Sequence, residues 1–264
     1  MNQARLDYLC ARLSDAAYGT IEEGQSVCWN PRMISLLDDY VHLHGEETGG
    51  DVFIGEGFQH NFAVFRGTEV GDTISWRDIW TDLKFALRSV DKKGMRLHSG
   101  FFEAWQELAP KVYQATGALQ YTQAQERFDH IEQHGEEHAP VVKPWVFTGH
   151  SLGAAMATIA AAAFKPAECV TFGGPRVGGS KFVKVAEDSC NIRRYVNAGD
   201  WCPSLPPGVF GHRHAGELNF IDRSGALRVN PPSGVKLRER LLDLPNRWSR
   251  HGAGAYADRL ENLL

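Results

Sequence analysis

One pentapeptide, GHSLG at 149–153, constrains the fold of this chain more than any other stretch. The short apolar run 144–148 leads directly into it, and the alanine-rich stretch that follows, ending near Lys165, is typical of a buried helix. A serine between a strand and a helix, with glycines two residues before and after it, predicts a sharp turn that holds its hydroxyl clear of the surface. The pattern therefore favours Ser151 as a nucleophile over an incidental serine in a glycine-rich turn.

Strand and helix patterns alternate along the rest of the chain. They comprise an opening helix (6–17), a buried hairpin (51–65) around Gly55 to Gly57, a helix from Phe101 to about Glu137 that can break near Gly117, and strands at 169–172, 191–196 and 217–222. Such alternation predicts an α/β fold with a mostly parallel central sheet and helices on both faces, and the hairpin adds an antiparallel portion. We expect one domain over residues 1–264.

Composition excludes several classes of protein. With 264 residues, 43% of them hydrophobic, and a net charge of −4, the chain is typical of a soluble globular protein and lacks the basic stripe of a nucleic-acid binder. No apolar run reaches the roughly 20 residues of a transmembrane helix. Asp7 interrupts the region where a signal peptide carries its apolar core. We therefore expect a cytoplasmic protein, or one secreted by a route without a recognisable N-terminal signal.

The cysteines and histidines predict neither a metal site nor a cofactor. The five cysteines form no CxxC pair and show no metal-ligand spacing. His130, His134 and His138 follow one another at four-residue steps, a spacing that could bind a metal on one helix face. Because the stretch is polar throughout and contains Gly135, a solvated helix end is the favoured interpretation.

A serine nucleophile needs a base and an acid that orients the base. In α/β-hydrolases these follow the nucleophile in the order Asp or Glu, then His. Asp200 lies just past a predicted strand and before a proline-rich loop, where ligands bind in open α/β sheets. His251 lies in a loop before a final short helix, and spacing alone only modestly favours it over His212 and His214. The turn at Ser151 also points the Leu152 backbone N–H toward a bound carbonyl, as one oxyanion donor.

Six strings in order resemble motifs of the class 3 lipases, the family of the fungal triacylglycerol lipases. Besides GHSLG they are FRGT (65–68), WTDL (80–83), HSGF (98–101), FGGPRVG (172–178) and VNAGD (196–200). The resemblance implies an α/β-hydrolase fold with Ser151 as nucleophile, Asp200 as acid and His251 as base. It also implies Thr68 as the second oxyanion donor, and Asp82 as the residue that fixes the Thr68 side chain.

A polar segment between Thr68 and Asp82 carries several large apolar side chains. They include Trp76, Ile79 and Trp80. The resemblance favours a lid that covers the serine in water and opens at a lipid–water interface, with these residues contacting substrate. The alternative is a surface helix whose aromatic side chains pack permanently on the core.

Together these features predict a serine esterase or lipase. Its substrates would be carboxylic esters of glycerol or similar lipids, cleaved through an acyl-enzyme without a cofactor or metal. The alternatives are a phospholipase A or a small-ester esterase with the same three residues. A third, from a different class, is a non-catalytic binding protein on the hydrolase fold. The sequence leaves the oligomeric state open.

Overall fold

The computed structural model describes residues 1–19, 22–23, 28–29, 33, 35–67, 87–92, 94–243 and 249–264, with only the backbone at 22–23 and 28–29. Its helices are α1 (Gln3–Ala16), α2 (Ser99–His134), α3 (Leu152–Phe164), α4 (Ser180–Ser189), α5 (Ser233–Leu242) and α6 (Ala253–Glu261). Its strands are β1 (Glu22–Glu23), β2 (Cys28–Trp29), β3 (Asp39–His44), β4 (Asp51–Glu56), β5 (Asn61–Arg66), β6 (Leu87–Ser89), β7 (Arg96–His98), β8 (Trp145–His150), β9 (Glu168–Phe172), β10 (Asn191–Asn197), β11 (Glu217–Ile221) and β12 (Leu227–Val229).

The central sheet has eight strands in the order β12-β11-β10-β9-β8-β5-β4-β3. The pairs from β5 through β8, β9 and β10 to β11 are parallel, whereas β3, β4 and β5 form an antiparallel meander and β12 is an antiparallel edge. The expected fold, a mostly parallel sheet with an antiparallel N-terminal portion, is confirmed.

Helices cover both faces of this sheet because its strands are apolar on both sides. In β5, Ala63 and Phe65 face a core shared with α2, α3 and α4, while Phe62 and Val64 face a core shared with α1 and α6. The alternation follows from the two-residue repeat of a strand. Each face therefore buries its own apolar layer.

Three neighbouring parallel strands end in one row. His150 of β8 pairs with Phe172 of β9, and Phe172 pairs with Tyr195 of β10. The loops that follow these strands consequently leave the sheet at the same carboxyl edge, which is where ligands bind in open α/β sheets.

Helix α2 is more continuous than its sequence predicts. It continues through Pro110 and Gly117 and ends at His134, so His138 lies beyond it and does not share the helix face of His130 and His134. Its buried side chains pack on the sheet core, and this tertiary burial outweighs the poor helix propensity of proline and glycine. Among the described residues, no helix has the length and apolar composition to cross a membrane.

Candidate active site

Ser151 occupies a strained turn between β8 and α3. Its backbone has φ 57° and ψ −123°, in the left-handed region that a residue with a side chain rarely adopts. The turn fits against β5 because Gly153 has no side chain: a Cβ there would lie 2.0 Å from the Phe65 carbonyl oxygen. The Ser151 N–H donates to the Phe172 carbonyl oxygen at 2.9 Å, which fastens the turn to β9. The expected strand-turn-helix geometry is present.

The structure brings Ser151, His251 and Asp200 together, although 100 residues separate the first two in sequence. His251 Nε2 lies 3.0 Å from Ser151 Oγ, and His251 Nδ1 lies 2.9 Å from Asp200 Oδ1. All three side chains are buried. Because the ionised carboxylate only accepts, Nδ1 carries a proton and Nε2 of a neutral ring is free to accept the serine proton. This is the geometry of a serine nucleophile with a histidine base.

The two alternative bases have other partners. His214 Nε2 donates to the Pro203 carbonyl oxygen at 2.8 Å, and burial holds the pKa of His214 well below its usual value. His212 is buried with its ring 5.8 Å from that of His98. Within the described contacts, His251 is the histidine whose ring bonds the Ser151 hydroxyl.

Asp200 accepts hydrogen bonds from two further donors. The Cys202 backbone N–H lies 2.9 Å from Oδ1, and the Tyr256 hydroxyl lies 2.5 Å from Oδ2. Burial and the Asp200 charge raise the pKa of Tyr256, so its hydroxyl remains a donor. Gly173, at φ 59°, makes room for this arrangement, since a Cβ there would lie 2.6 Å from Asp200 Oδ2.

A second chain of hydrogen bonds holds the backbone of His251. His150 Nε2 lies 2.5 Å from the His251 carbonyl oxygen, and His150 Nδ1 lies 2.9 Å from the Tyr18 hydroxyl. A carbonyl oxygen only accepts, so Nε2 carries the proton and Nδ1 accepts from Tyr18. Burial lowers the pKa of His150 far below its usual value, which keeps the ring neutral. The Asn197 side chain also donates to the Arg250 carbonyl oxygen at 2.9 Å, on the other side of the same loop.

Other residues predicted for the site have different outcomes. Leu152 is the first residue of α3, and a helix leaves the N–H groups of its first turn without intrahelical partners. Thr68, Asp82, Trp76, Ile79 and Trp80 lie outside the described residues. In the part of the chain that the structure describes, no three His, Cys, Asp or Glu side chains are grouped to hold a metal ion.

Sequence reasoning missed Tyr18, His150, Cys202 and Tyr256. Tyr256 falls in the apolar repeat of α6 with Ala253, Ala257 and Leu260, which predicts only a core position. Cys202 is buried with Sγ 4.0 Å from Ser151 Oγ, and burial raises the pKa of its thiol. The position of Cys202 two residues after Asp200 was the one local clue, because short loops keep such residues close.

The fold and the turn that carries Ser151 define an α/β-hydrolase. Residues 62–210, more than half of the chain, match the family described as lipase (class 3). The chain belongs to this family, and the resemblance read from its motifs is confirmed.

Similar proteins include fungal lipases. A secreted mono- and diacylglycerol lipase 1 from Fusarium solani is 33% identical over 58% of this chain and 43% of its own length. The secreted mono- and diacylglycerol lipase LIP4 from Malassezia restricta is 30% identical over 64% of this chain and 56% of its own length. The chain thus spans about half the length of these relatives. A solved Rhizomucor miehei triacylglyceride lipase superposes with a TM-score of 0.65 at 23% identity, covering 87% of this chain and 84% of that one.

The expectation of a cytoplasmic location is wrong. The similar proteins from Fusarium solani and Malassezia restricta are named as secreted lipases. The expectation rested on the first residues of the chain alone, and these relatives contradict it.

Proposed function

We propose that this protein hydrolyses carboxylic esters of glycerol lipids through an acyl-enzyme. His251 takes the Ser151 proton as Oγ attacks the ester carbonyl carbon, and Asp200 keeps the imidazole in the tautomer that can accept it. His251 then protonates the departing alcohol. Water, deprotonated by the same histidine, next attacks the acyl carbon. The bond between that carbon and Ser151 Oγ then breaks, and His251 returns the proton to Oγ, which releases the fatty acid and restores the serine.

The observation that carries this proposal is the unbroken hydrogen-bond chain Ser151–His251–Asp200, at 3.0 and 2.9 Å. Family membership supports it, as do the mono- and diacylglycerol esters in the names of two similar proteins. A binding protein without catalysis would not need a buried serine held in a strained turn against a histidine, because such strain is stored mainly at functional sites.

Stabilisation of the oxyanion is the next part of the proposal. The Leu152 N–H, at the positive end of α3, serves as one donor, and the Thr68 backbone N–H as the second. Asp82 holds Thr68 in place. Trp76, Ile79 and Trp80 belong to a lid that opens at a lipid–water interface. Residues 1–264 form a single α/β-hydrolase domain in this proposal.

Replacing the nucleophile tests the proposal. We expect Ser151→Ala to lower kcat on a short-chain diacylglycerol by about 10⁴-fold or more, because the residual rate then comes from binding and oxyanion stabilisation alone. The wild-type protein should react with a fluorophosphonate probe, and the variant should not.

A matched control is Ser180→Ala, which changes an exposed serine at the start of α4. It should keep both activity and labelling. Residual activity of Ser151→Ala within tenfold of wild type would exclude Ser151 as the nucleophile.

A further inference from the structure

Three arginines surround the loop that follows Asp200, and two more basic side chains lie near enough to interact with them electrostatically. This basic cluster consists of Arg176, Arg194, Arg213, Lys236 and Arg240. Its members come from separate parts of the chain, since Arg176 follows β9, Arg194 lies in β10, Arg213 precedes β11, and Lys236 and Arg240 belong to α5.

Hydrogen bonds place three of these arginines together. Arg176 donates to the Ser204 carbonyl oxygen, while Arg240 Nη1 lies 3.0 Å from Ser204 Oγ. Arg176 and Arg213 both approach Gly208: a Cβ built there would lie 3.8 Å from Arg176 Nε and 3.5 Å from Arg213 Nη1. The three guanidinium groups therefore surround one short loop, 204–208.

The described part of the chain supplies no paired acid to the cluster. Each hydrogen bond of its four arginines goes to a neutral oxygen: the carbonyls of residues 204, 206, 208, 212 and 216, and the hydroxyl of Ser204. Among the described residues, no carboxylate lies within 4.0 Å of an arginine of the cluster. Arg240 Nε is buried and has no hydrogen-bond partner among the residues that the structure describes. Arg213 is exposed and the other four side chains are partly buried. Gathering like charges in a partly buried site is unfavourable unless an anion compensates them.

Electrostatics link the remaining members to these three. Burial, together with the charges of Arg176 and Arg240, lowers the pKa of Arg194 to about 10. Burial and the charges of Arg194, Arg240 and Arg176 also lower the pKa of Lys236. Glu187 acts to raise the pKa of Arg194, and Asp200 acts to raise that of Arg240. Both pKa values nevertheless remain below the ordinary value, chiefly because the side chains are buried.

The turn that Arg176 and Arg240 contact lies beside the reacting serine. Ser204 ends the short 3₁₀ turn Cys202–Ser204, and Cys202 Sγ is 4.0 Å from Ser151 Oγ. A lipid whose ester carbonyl lies at Ser151 would thus have its polar head group within reach of the same turn.

We propose that the basic cluster binds the phosphate group of an ester lipid, which makes lipids with an anionic phosphate head group substrates of this site. Arginine matches the oxygens of a phosphate in two-point hydrogen bonding, and several cations suit a doubly charged group. This inference rests on the proposed ester hydrolysis, which it extends from neutral glycerides to phosphate-bearing esters.

The test compares two lipids that differ in this group, dihexanoyl phosphatidic acid and dihexanoylglycerol. The ratio of their kcat/KM values should fall about tenfold in Arg240→Gln and in Lys236→Gln, because each variant loses one charged contact to phosphate. Lys236 makes no hydrogen bond to a described residue, so we expect its replacement to change stability little, which urea unfolding of the variant checks. Arg238→Gln, an exposed position on the same helix, is the matched control and should leave the ratio within twofold. An unchanged ratio in both cluster variants, or an equal fall in the control, would overturn the proposal.

A binding measurement tests this inference independently of the proposed ester hydrolysis. In calorimetric titrations of Ser151→Ala protein, dihexanoyl phosphatidic acid should bind at least tenfold more tightly than dihexanoylglycerol, and Arg240→Gln should remove the difference. This outcome is independent of turnover, so it stands even if the wild-type protein hydrolyses neither lipid. If inorganic phosphate alone binds as tightly as phosphatidic acid, the proposal that the ligand is a lipid is overturned. Weaker binding of inorganic phosphate supports the proposal.

Discussion

At the scale of single residues, the Asp200 carboxylate accepts hydrogen bonds from three donors. Its Oδ1 accepts from His251 Nδ1 and the Cys202 N–H, and its Oδ2 accepts from Tyr256. A carboxylate with three fixed donors cannot rotate away from the imidazole. The tautomer and the ring orientation of His251 are therefore fixed before substrate binds, which is the main role of the acid in such a site.

Tyr256→Phe tests this arrangement at the scale of one hydroxyl. Removing the donor frees Oδ2, so the carboxylate is oriented less firmly. A hydrogen bond to a charged group contributes about 1.5–3 kcal/mol. We expect kcat on a soluble ester to fall about tenfold with KM unchanged, because the tyrosine contacts the acid and not the substrate. Steady-state kinetics measures both constants.

Tyr113→Phe is the control for this change, since Tyr113 is exposed on α2. It should leave both constants as they are. A rise in KM with constant kcat in Tyr256→Phe would instead place the hydroxyl in the substrate site.

At the scale of elements, a buried ion pair docks α1 on the sheet. Asp7 of α1 accepts from Arg193 Nε at 3.0 and 3.1 Å and from the Tyr195 hydroxyl at 2.6 Å, both on β10. The side chains of Asp7 and Arg193 are each only 2% exposed. Because α1 also carries the residues just before Tyr18, this pair helps to align the hydrogen bond from Tyr18 to His150.

We expect Asp7→Ala to lower the free energy of unfolding by roughly 3–5 kcal/mol, since it leaves the buried Arg193 guanidinium without its fully buried acidic partner. Glu168, which also pairs with Arg193, moderates the loss. Urea denaturation followed by circular dichroism measures the change.

The double variant Asp7→Leu with Arg193→Met removes both charges. It should recover part of the stability, because apolar side chains of similar size can replace a buried ion pair at little cost. If Asp7→Ala were as stable as wild type, the pair would not dock α1.

At the scale of the whole molecule, buried neutral histidines couple folding to pH. Burial lowers the pKa of His98 to about 4, and it lowers the pKa of His150 and His214 far below the ordinary value. Below the ordinary pKa of 6.5 the unfolded chain binds protons that the folded chain does not bind. Stability from these groups is therefore present above that pKa and falls as the pH decreases.

His98→Phe isolates one of these contributions. His98 is stacked on Phe101 with ring centres 4.0 Å apart, and a phenyl ring preserves this packing without a titrating group. We compare the unfolding free energy of the variant with that of wild type at about pH 7.5 and about pH 5. The difference, variant minus wild type, should be about 2 kcal/mol larger at the lower pH. Urea unfolding at the two pH values measures the difference.

The comparison between the two pH values cancels any effect of the substitution that does not depend on pH. An effect of equal size at both pH values would show that the folded protein protonates His98 as readily as the unfolded chain does, contrary to the lowered pKa.

Short-range patterns in the sequence were enough to predict the sheet and the turn at Ser151. An apolar strand, a glycine-serine-glycine spacing and an alanine-rich helix occupy about 20 consecutive residues, and their geometry follows from local sterics. Asp200 was predictable for the same reason, because it directly follows a strand end. The continuity of α2 through Pro110 and Gly117 was not, since tertiary packing outweighs local propensity there.

The partners of Ser151 were decided by the tertiary structure. The sequence offered His212, His214 and His251 as bases, and only the packing of α6 and its preceding loop against the carboxyl edge of the sheet brings His251 to the serine. The contacts of Tyr256, His150 and the basic cluster also depend on tertiary packing. Their atoms meet across many residues of chain, so strand order, register and helix packing determine the distances, and no local pattern in the sequence encodes them.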